Sequence, residues 1–225
     1  MPTKVAFALF AEAIVFALLL FVAAGTADWP ACWVFLALFF GPAAALTAVT
    51  ARRDPALLAE RMKVRFQQRQ PLWDRIFLVV IGVLFLAWLV SMGLDARRYQ
   101  WSHVPDWLRG IGAAAMLASW WICARVFDAN TFLAPVVKIQ AERGQTVIST
   151  GPYAIVRHPF YVGAILLLAS SALLLGSWIG VAGAGAIAIG IAIRIPGEEH
   201  ELRRHLAGYN DYAARVRYRL IPFIW

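Results

Sequence analysis

Residues 160–193 read FYVGAILLLASSALLLGSWIGVAGAGAIAIGIAI and contain no charged side chain. Arg157 and His158 stand immediately before this run, and a second polar cluster, Gly197-Glu-Glu-His-Glu201, begins just after it. A helix needs about 20 apolar residues to cross a bilayer, so residues 160–193 are too many for one span and slightly too few for two full spans. We therefore predict a hydrophobic hairpin that brings the two polar clusters to the same side of a membrane.

The rest of the chain has the composition of an integral membrane protein. Of its 225 residues 61% are hydrophobic and 15% are charged, and the mean hydropathy is +0.67. The predicted fold class is all-α: a polytopic integral membrane helical bundle of about six transmembrane helices, with a C-terminal helical hairpin and a cytoplasmic tail helix. The predicted spans are Val5–Gly25, Trp29–Val49, Trp73–Met92, Trp107–Val126, Phe160–Leu175 and Trp178–Ile195. The fifth is short, and the sixth is rich in Gly and Ala.

The distribution of basic residues predicts the orientation of the chain. The net charge is +8, and the basic residues crowd into alternate connections and the tail: Arg52 to Arg75, Lys138 to Arg157, and Arg194 to Arg219. Lys and Arg are enriched in cytoplasmic loops, so both termini are expected in the cytoplasm, with a bacterial inner membrane as the expected location. Because this charge lies beside predicted spans and no nucleic-acid motif accompanies it, membrane lipids are the expected partners and nucleic acid is not.

The connection after the second span predicts a short helix at the membrane interface. Ala51–Met62 contains Pro55 near its start, where proline favours a helix N-terminus. Its leucines are expected to reach the headgroup region, while its basic residues stay in water: Arg61, Lys63 and Arg65.

The two cysteines predict neither a disulfide framework nor a metal site. Cys32 and Cys123 both lie in apolar segments. They are expected to be packed thiols, and no metal-binding residues are assigned.

Several spaced motifs in the last hundred residues resemble the isoprenylcysteine carboxyl methyltransferase family. They occur in the order found in that family: Arg157-His158-Pro159 with Tyr161 and Gly163, a hairpin, Glu198-Glu199, Gly208-Tyr-Asn-Asp-Tyr212, and Arg219-Leu-Ile-Pro222. Arg-His-Pro alone would be a weak signal, and the ordered set is a strong one. The first four spans match only in their general hydrophobic layout.

The resemblance implies methyl transfer from S-adenosylmethionine, with the cofactor held between the last hairpin and the cytoplasmic tail. The cofactor-binding residues that it implies are Tyr153, His158, Tyr161, Glu198 and Glu199. The catalytic residues that it implies are Arg157, Asn130 and Glu199. Residues 1–225 are treated as one membrane domain, in which spans within 1–127 select the acceptor and 128–225 form the methyltransferase core. The expected acceptor is a lipid or a prenylated small molecule or peptide.

The acceptor could be a carboxylate or an amine, and the two require different chemistry. A prenylcysteine-like carboxylate is already ionised near neutral pH, so it needs no general base, and Arg157 would steer it. An amine acceptor, as in the related phospholipid N-methyltransferases, must first lose a proton. In that case His158, His200 or a glutamate becomes a candidate base.

Two further functions compete with methyl transfer. The sterol reductase group, which binds a nicotinamide dinucleotide, looks similar in its C-terminal part, but its motif continues from Arg-His-Pro as Asn-Tyr-x-Gly-Asp. This chain has Phe160-Tyr-Val-Gly-Ala164. A non-catalytic scaffold or carrier would place polar groups along a path through the membrane, and apart from Glu12 such groups are scarce in the predicted spans.

Each polar cluster also has a purely structural interpretation. Arg157 and His158 could lie among lipid headgroups at the end of a helix. Glu198, Glu199 and Glu201 could occupy the first turn of a new helix after Pro196-Gly197, where carboxylates interact favourably with the helix N-terminus. The joint occurrence of the motifs in order favours the functional interpretation.

Overall fold

The computed structural model describes residues 3–63 and 70–225, and this part of the chain is helical without any strand. Its α-helices are α1 Thr3–Ala24, α2 Pro30–Arg53, α3 Pro55–Arg61, α4 Leu72–Gly93, α5 Asp106–Ala129, α6 Pro159–Leu175, α7 Trp178–His205 and α8 Tyr209–Arg215. A π-helix at Leu94–Tyr99 continues α4, and two 3₁₀ turns follow α5, at Ala141–Arg143 and Gly151–Ala154.

The predicted membrane bundle is confirmed. Within the described residues five helices are long and apolar enough to cross a membrane, namely α1, α2, α4 with its π-helical extension, α5 and α7. The apolar helix α6 has 17 residues, which agrees with the prediction that the fifth span is short. The buried core lies between these helices and includes Leu20, Phe35, Leu89, Met92, Met116 and Leu175. Both cysteines are buried and free.

Helices α5 and α6 approach each other closely because glycines face the contact. A Cβ atom on Gly112 would lie 2.8 Å from the backbone nitrogen of Leu174, and one on Gly163 would lie 2.9 Å from Cys123 Sγ. Ser119 Oγ also donates a hydrogen bond of 2.7 Å to the Gly163 carbonyl. Small residues at helix interfaces are the usual means of close packing in membranes, and here they hold α6 against α5 near both ends of α6.

A sharp turn joins α6 to α7, as the hairpin prediction requires. Gly176 has φ of +88°, a backbone conformation that glycine adopts without strain. Ser177 then caps α7 by accepting a hydrogen bond from the Gly180 N–H at 2.7 Å. The buried Asp95, at the start of the π-helix, accepts hydrogen bonds from Ser177 Oγ and from Ser102 Oγ. We call the end of the bundle that contains this turn the far end.

At the opposite side, which we call the basic end, α2 ends and α4 begins. Here α7 differs from the prediction, because it continues through Pro196 to His205 instead of ending at Ile195. The interpretation that Glu198 and Glu199 lie in the first turn of a new helix is therefore wrong. Side-chain contacts hold the extension in place, since Glu199 pairs with Arg157 and Glu198 accepts from Tyr161.

The connection after the second span does form a short helix, α3, with two differences from the prediction in its side chains. Asp54 caps it by accepting a hydrogen bond from the Leu57 N–H at 2.9 Å. Leu57 is fully buried in the protein instead of reaching the headgroups. Arg61, expected in water, lies against the ring of Phe127, because the helix docks on the bundle rather than floating at its surface. Arg65, also expected in water, lies outside the described residues.

Candidate functional site

The segment before α6 and the segment after α8 pair with each other at the basic end. The backbone N–H of Arg157 donates to the Tyr218 carbonyl at 2.9 Å, and that of His158 donates to the Arg219 carbonyl at 3.0 Å. These two hydrogen bonds join residues about 60 positions apart in the sequence. The C-terminal tail therefore lies against the Arg157-His158 motif, so motifs that are far apart in the sequence are in contact in the structure.

Glu199 is the centre of this junction. Its carboxylate accepts hydrogen bonds from Arg157 Nε at 2.6 Å and Arg219 Nε at 3.2 Å, and His158 Nε2 lies 3.2 Å away. Because a carboxylate only accepts, the proton in the histidine contact is assigned to Nε2. Glu199 is 2% exposed, so it is a buried anion surrounded by three basic side chains. This arrangement locks α7, the start of α6 and the tail together.

Arg157 has a second set of partners in the tail. Its Nη1 donates to the carbonyls of Val216 and Arg217, both at 2.8 Å. With Glu199 on Nε, most of the donor capacity of this guanidinium is already used within the protein. The observed contacts favour a role in fastening the tail, and the predicted role of Arg157 in steering an acceptor stays a prediction.

A second buried network lies beside the first and contains two groups that the sequence did not identify. Tyr161 donates its hydroxyl to Glu198 at 2.8 Å and accepts from Arg194 Nη1 at 2.9 Å. Arg194 is held in turn by Asp74, whose Oδ1 lies 2.9 Å from Nε and 2.8 Å from Nη2. Asp74 is fully buried in the first turn of α4. These contacts therefore link α4 to α7 through Asp74 and Arg194, and α7 to α6 through Tyr161, which also binds Glu198.

Asp74 and Arg194 also fix the long connection between α5 and α6. The Val137 N–H donates to Asp74 Oδ2 at 3.0 Å, and Arg194 Nη2 donates to the Pro135 carbonyl at 3.2 Å. Gln70 Nε2 completes the set at 2.7 Å from the same Asp74 oxygen. The connection is thus held across the end of the bundle, where it covers the polar groups of α6 and α7.

Asn130 and Tyr153 form the other side of the site. Asn130 ends α5 and donates its amide to the Tyr153 hydroxyl at 2.8 Å, while its Oδ1 accepts from the Phe132 N–H at 2.9 Å. Tyr212 in α8 donates to the Tyr153 carbonyl at 2.9 Å. Burial raises the pKa of Tyr153 to about 12, against a smaller lowering by the Asn130 hydrogen bond. The Tyr153 hydroxyl is therefore neutral near pH 7, and it can bind a ligand but does not act as an anion.

These groups surround a cavity of about 280 Å³, close to the lower end of the roughly 300–1,000 Å³ usual for small-molecule sites. Six of the seven predicted site residues line it: Asn130, Tyr153, Arg157, His158, Tyr161 and Glu198. Glu199 lies behind this wall, bonded to Arg157 and His158. Apolar side chains complete the lining, among them Val136, Ile139, Val147, Leu202 and Leu206. The cavity is thus lined by both charged and apolar side chains.

Three lining or supporting residues were missed by the sequence reasoning: Arg61, Asp74 and Arg194. A signal did exist for two of them. Asp74 and Arg194 are opposite charges at the same predicted side of two apolar helices, and charges so placed usually pair. Arg61 offered no comparable signal, because its place depends on how α3 docks.

Comparison with known families agrees with this grouping of motifs. Residues 111–204 match the model of the Isoprenylcysteine carboxyl methyltransferase (ICMT) family. The match covers 94 of the 225 residues, less than half of the chain, so it shows that this segment is similar to the ICMT family. It includes α6 and nearly all of α7, with Arg157, His158, Glu198 and Glu199. It supports a membrane methyltransferase of the isoprenylcysteine type. No curated protein matches the chain.

Proposed function

We propose that this protein transfers a methyl group from S-adenosylmethionine to the carboxylate of a lipid-like acceptor, of which a prenylcysteine-like acid is the best fit. The observation that carries the proposal is the convergence of the ordered motif residues on one cavity at the basic end of a membrane bundle. His158 and Tyr161 come from the start of α6, and Glu198 comes from the end of α7. The segment that the family model matches supplies all three.

The donor set of the cavity fits S-adenosylmethionine. That molecule combines a sulfonium and an amino group with a carboxylate, ribose hydroxyls and an adenine ring. Glu198 and Glu201 line the cavity as carboxylates for the cationic groups, and the Tyr153 hydroxyl can bond to a ribose or an adenine. Leu202 and Leu206 offer an apolar surface for a flat ring. We propose Tyr153, His158, Tyr161 and Glu198 as direct cofactor contacts.

The cofactor, when bound, supplies an electrophilic methyl group on a sulfonium. The protein residues then have to orient the groups rather than move protons, because a carboxylate acceptor is ionised near neutral pH. Tyr161 keeps Glu198 in one orientation, and Arg194 keeps Tyr161 in place. We propose that Glu199 acts as a positioning residue, since it holds Arg157 and His158 and does not line the cavity. Asn130 is proposed to act by fixing Tyr153.

We also propose different roles for residues 1–127 and 128–225. Among the described residues, Arg61 is the only part of 1–127 that lines the cavity. This supports a methyltransferase core in 128–225, and we propose that 1–127 contributes to acceptor selection. We further propose that the basic end faces the cytoplasm, because the three basic clusters of the chain flank it. Both termini would then be cytoplasmic.

The pH dependence of methyl transfer tests the acceptor chemistry. With methyl-labelled S-adenosylmethionine and a prenylcysteine acid in detergent micelles, the single-turnover rate should change little between roughly pH 6 and 8, since the acceptor is ionised throughout. The product should be a methyl ester that alkali hydrolyses. The measurement is the rate at each pH together with the position of the label.

A steep rise in rate with pH, together with the label on nitrogen, would show that the acceptor is an amine and not a carboxylate. A phospholipid carrying a primary amine is the matched control substrate. It should receive no label if the proposal is correct.

A further inference from the structure

Arg61 is a cation in the wall of the cavity with no acidic partner. Its guanidinium carbon lies 4.5 Å from the ring centroid of Phe127 and 5.5 Å from that of Phe160. None of the described carboxylates forms an ion pair with it, and residues 1–2 and 64–69 contain no Asp or Glu. The chain therefore provides a charged group at this position without the anion that would neutralise it.

The neighbouring carboxylates already have other partners. Glu60, the preceding residue, is 1% exposed and pairs with Lys63 and Lys138. Asp128, next to Phe127, lies 3.9 Å from Arg53 on the surface. Of the two carboxylates that line the cavity, Glu198 accepts the Tyr161 hydroxyl and Glu201 lies 3.4 Å from His205. Arg61 thus lines the cavity without a carboxylate of its own.

The Arg61 side chain is half-buried and carries an unpaired charge. Burial lowers the pKa of Arg61 to about 10, which still leaves it protonated at neutral pH. The Tyr153 hydroxyl nearby is neutral, because burial raises its pKa to about 12. Aromatic rings attract a cation more weakly than a carboxylate in hydrogen-bond contact does. A bound anion would therefore stabilise Arg61 beyond what its present neighbours provide.

The position of Arg61 is also well defined. It is the last residue of α3, a helix capped by Asp54 and anchored by the fully buried Leu57. Phe127 belongs to the end of α5, and Phe160 belongs to the His158-Pro159-Phe160-Tyr161 segment. The guanidinium therefore lies beside the segment that contains His158 and Tyr161. An arginine held on aromatic faces presents its planar fork to a carboxylate.

We propose that Arg61 binds a carboxylate of a ligand held in this cavity, either the methionine carboxylate of the cofactor or the carboxylate of the methyl acceptor. The assignment rests on the proposed function, because it takes S-adenosylmethionine and an acidic acceptor as the ligands. It makes α3 the part of the N-terminal half that takes part in ligand recognition.

Arg61→Gln tests the assignment, with Arg53→Gln as a matched control that removes a nearby exposed cation outside the cavity. The binding of S-adenosylmethionine and of its decarboxylated analogue is measured for wild type and both variants, together with the KM for a prenylcysteine acid. If the carboxylate belongs to the cofactor, Arg61→Gln should bind S-adenosylmethionine at least tenfold more weakly and the decarboxylated analogue as well as wild type does. If the carboxylate belongs to the acceptor, the affinity for S-adenosylmethionine should equal that of wild type, and the KM for the prenylcysteine acid should rise at least tenfold.

Three results would overturn the assignment alone. One is a folded Arg61→Gln protein that keeps both ligands within twofold of wild type and of Arg53→Gln. Another is an equal loss of affinity for S-adenosylmethionine and for its decarboxylated analogue without a change in the KM of the acceptor, since that would be a packing effect. If Arg61→Gln does not fold, Arg61→Lys replaces it, and a loss below threefold there for both ligands would also contradict the assignment. A wild-type protein that binds no S-adenosylmethionine would refute the proposed function itself, and the assignment with it.

Discussion

Glu199→Gln should lower the free energy of unfolding by about 3–5 kcal/mol, the cost of breaking a buried ion pair from one side. The amide has one acceptor oxygen, while three basic side chains direct donors at this position: Arg157, His158 and Arg219. Its NH₂ group would face at least one of these donors. The buried Arg157 would then lose its counter-charge, and the tail would lose its attachment to α7. Denaturant unfolding in detergent micelles measures the effect.

Glu201→Gln is the matched control on the same helix. Glu201 lies 3.4 Å from His205, and both side chains are partly exposed. Its loss should cost no more than about 1 kcal/mol. Equal destabilisation by the two substitutions would show that the position of Glu199 among its basic partners has no special importance.

Asp74→Asn should destabilise the protein by a similar amount, about 3–5 kcal/mol, because it leaves Arg194 buried without a counter-charge. The consequences should extend to the site, since Arg194 also binds the Tyr161 hydroxyl and the Pro135 carbonyl. We expect weaker cofactor binding in addition to lower stability. Unfolding curves and ligand titrations on the same preparations measure both effects.

The double variant Asp74→Asn with Arg194→Met gives the decisive comparison for this pair. Removing both charges avoids the unpaired buried ion, so its destabilisation should be smaller than the sum of the two single effects. Strict additivity would mean that the observed contacts at 2.8 and 2.9 Å carry no coupling.

The hydrophobic pattern was sufficient to predict most of the bundle. Long apolar runs predicted α1, α2, α4 and α5 to within a few residues, and the uncharged stretch 160–193 predicted the α6–α7 hairpin. The end of α7 was predicted wrongly, because Pro196 and the polar residues after it look like a helix boundary. Contacts with Arg157 and Tyr161 outweigh that local signal, and neither contact is visible in the sequence around Pro196.

The candidate site was predictable where it depends on motifs and unpredictable where it depends on docking. Six of the seven predicted residues line the cavity, because the ordered motifs belong to elements that the hairpin and the tail bring together. Asp74 and Arg194 are 120 positions apart, so their pairing requires the packing of α4 against α7. Arg61 reaches the cavity only because α3 docks against the end of α5 and the start of α6.

A direct binding comparison tests whether the cavity binds S-adenosylmethionine. Detergent-solubilised wild-type protein and His158→Ala are each titrated with S-adenosylmethionine and with NADPH. Saturable binding of S-adenosylmethionine and no binding of NADPH are expected for wild type. His158→Ala should weaken cofactor binding by about 1.5–3 kcal/mol, the value of a charge-assisted hydrogen bond. Binding of NADPH in place of S-adenosylmethionine, or an unchanged S-adenosylmethionine affinity in folded His158→Ala protein, would contradict the account.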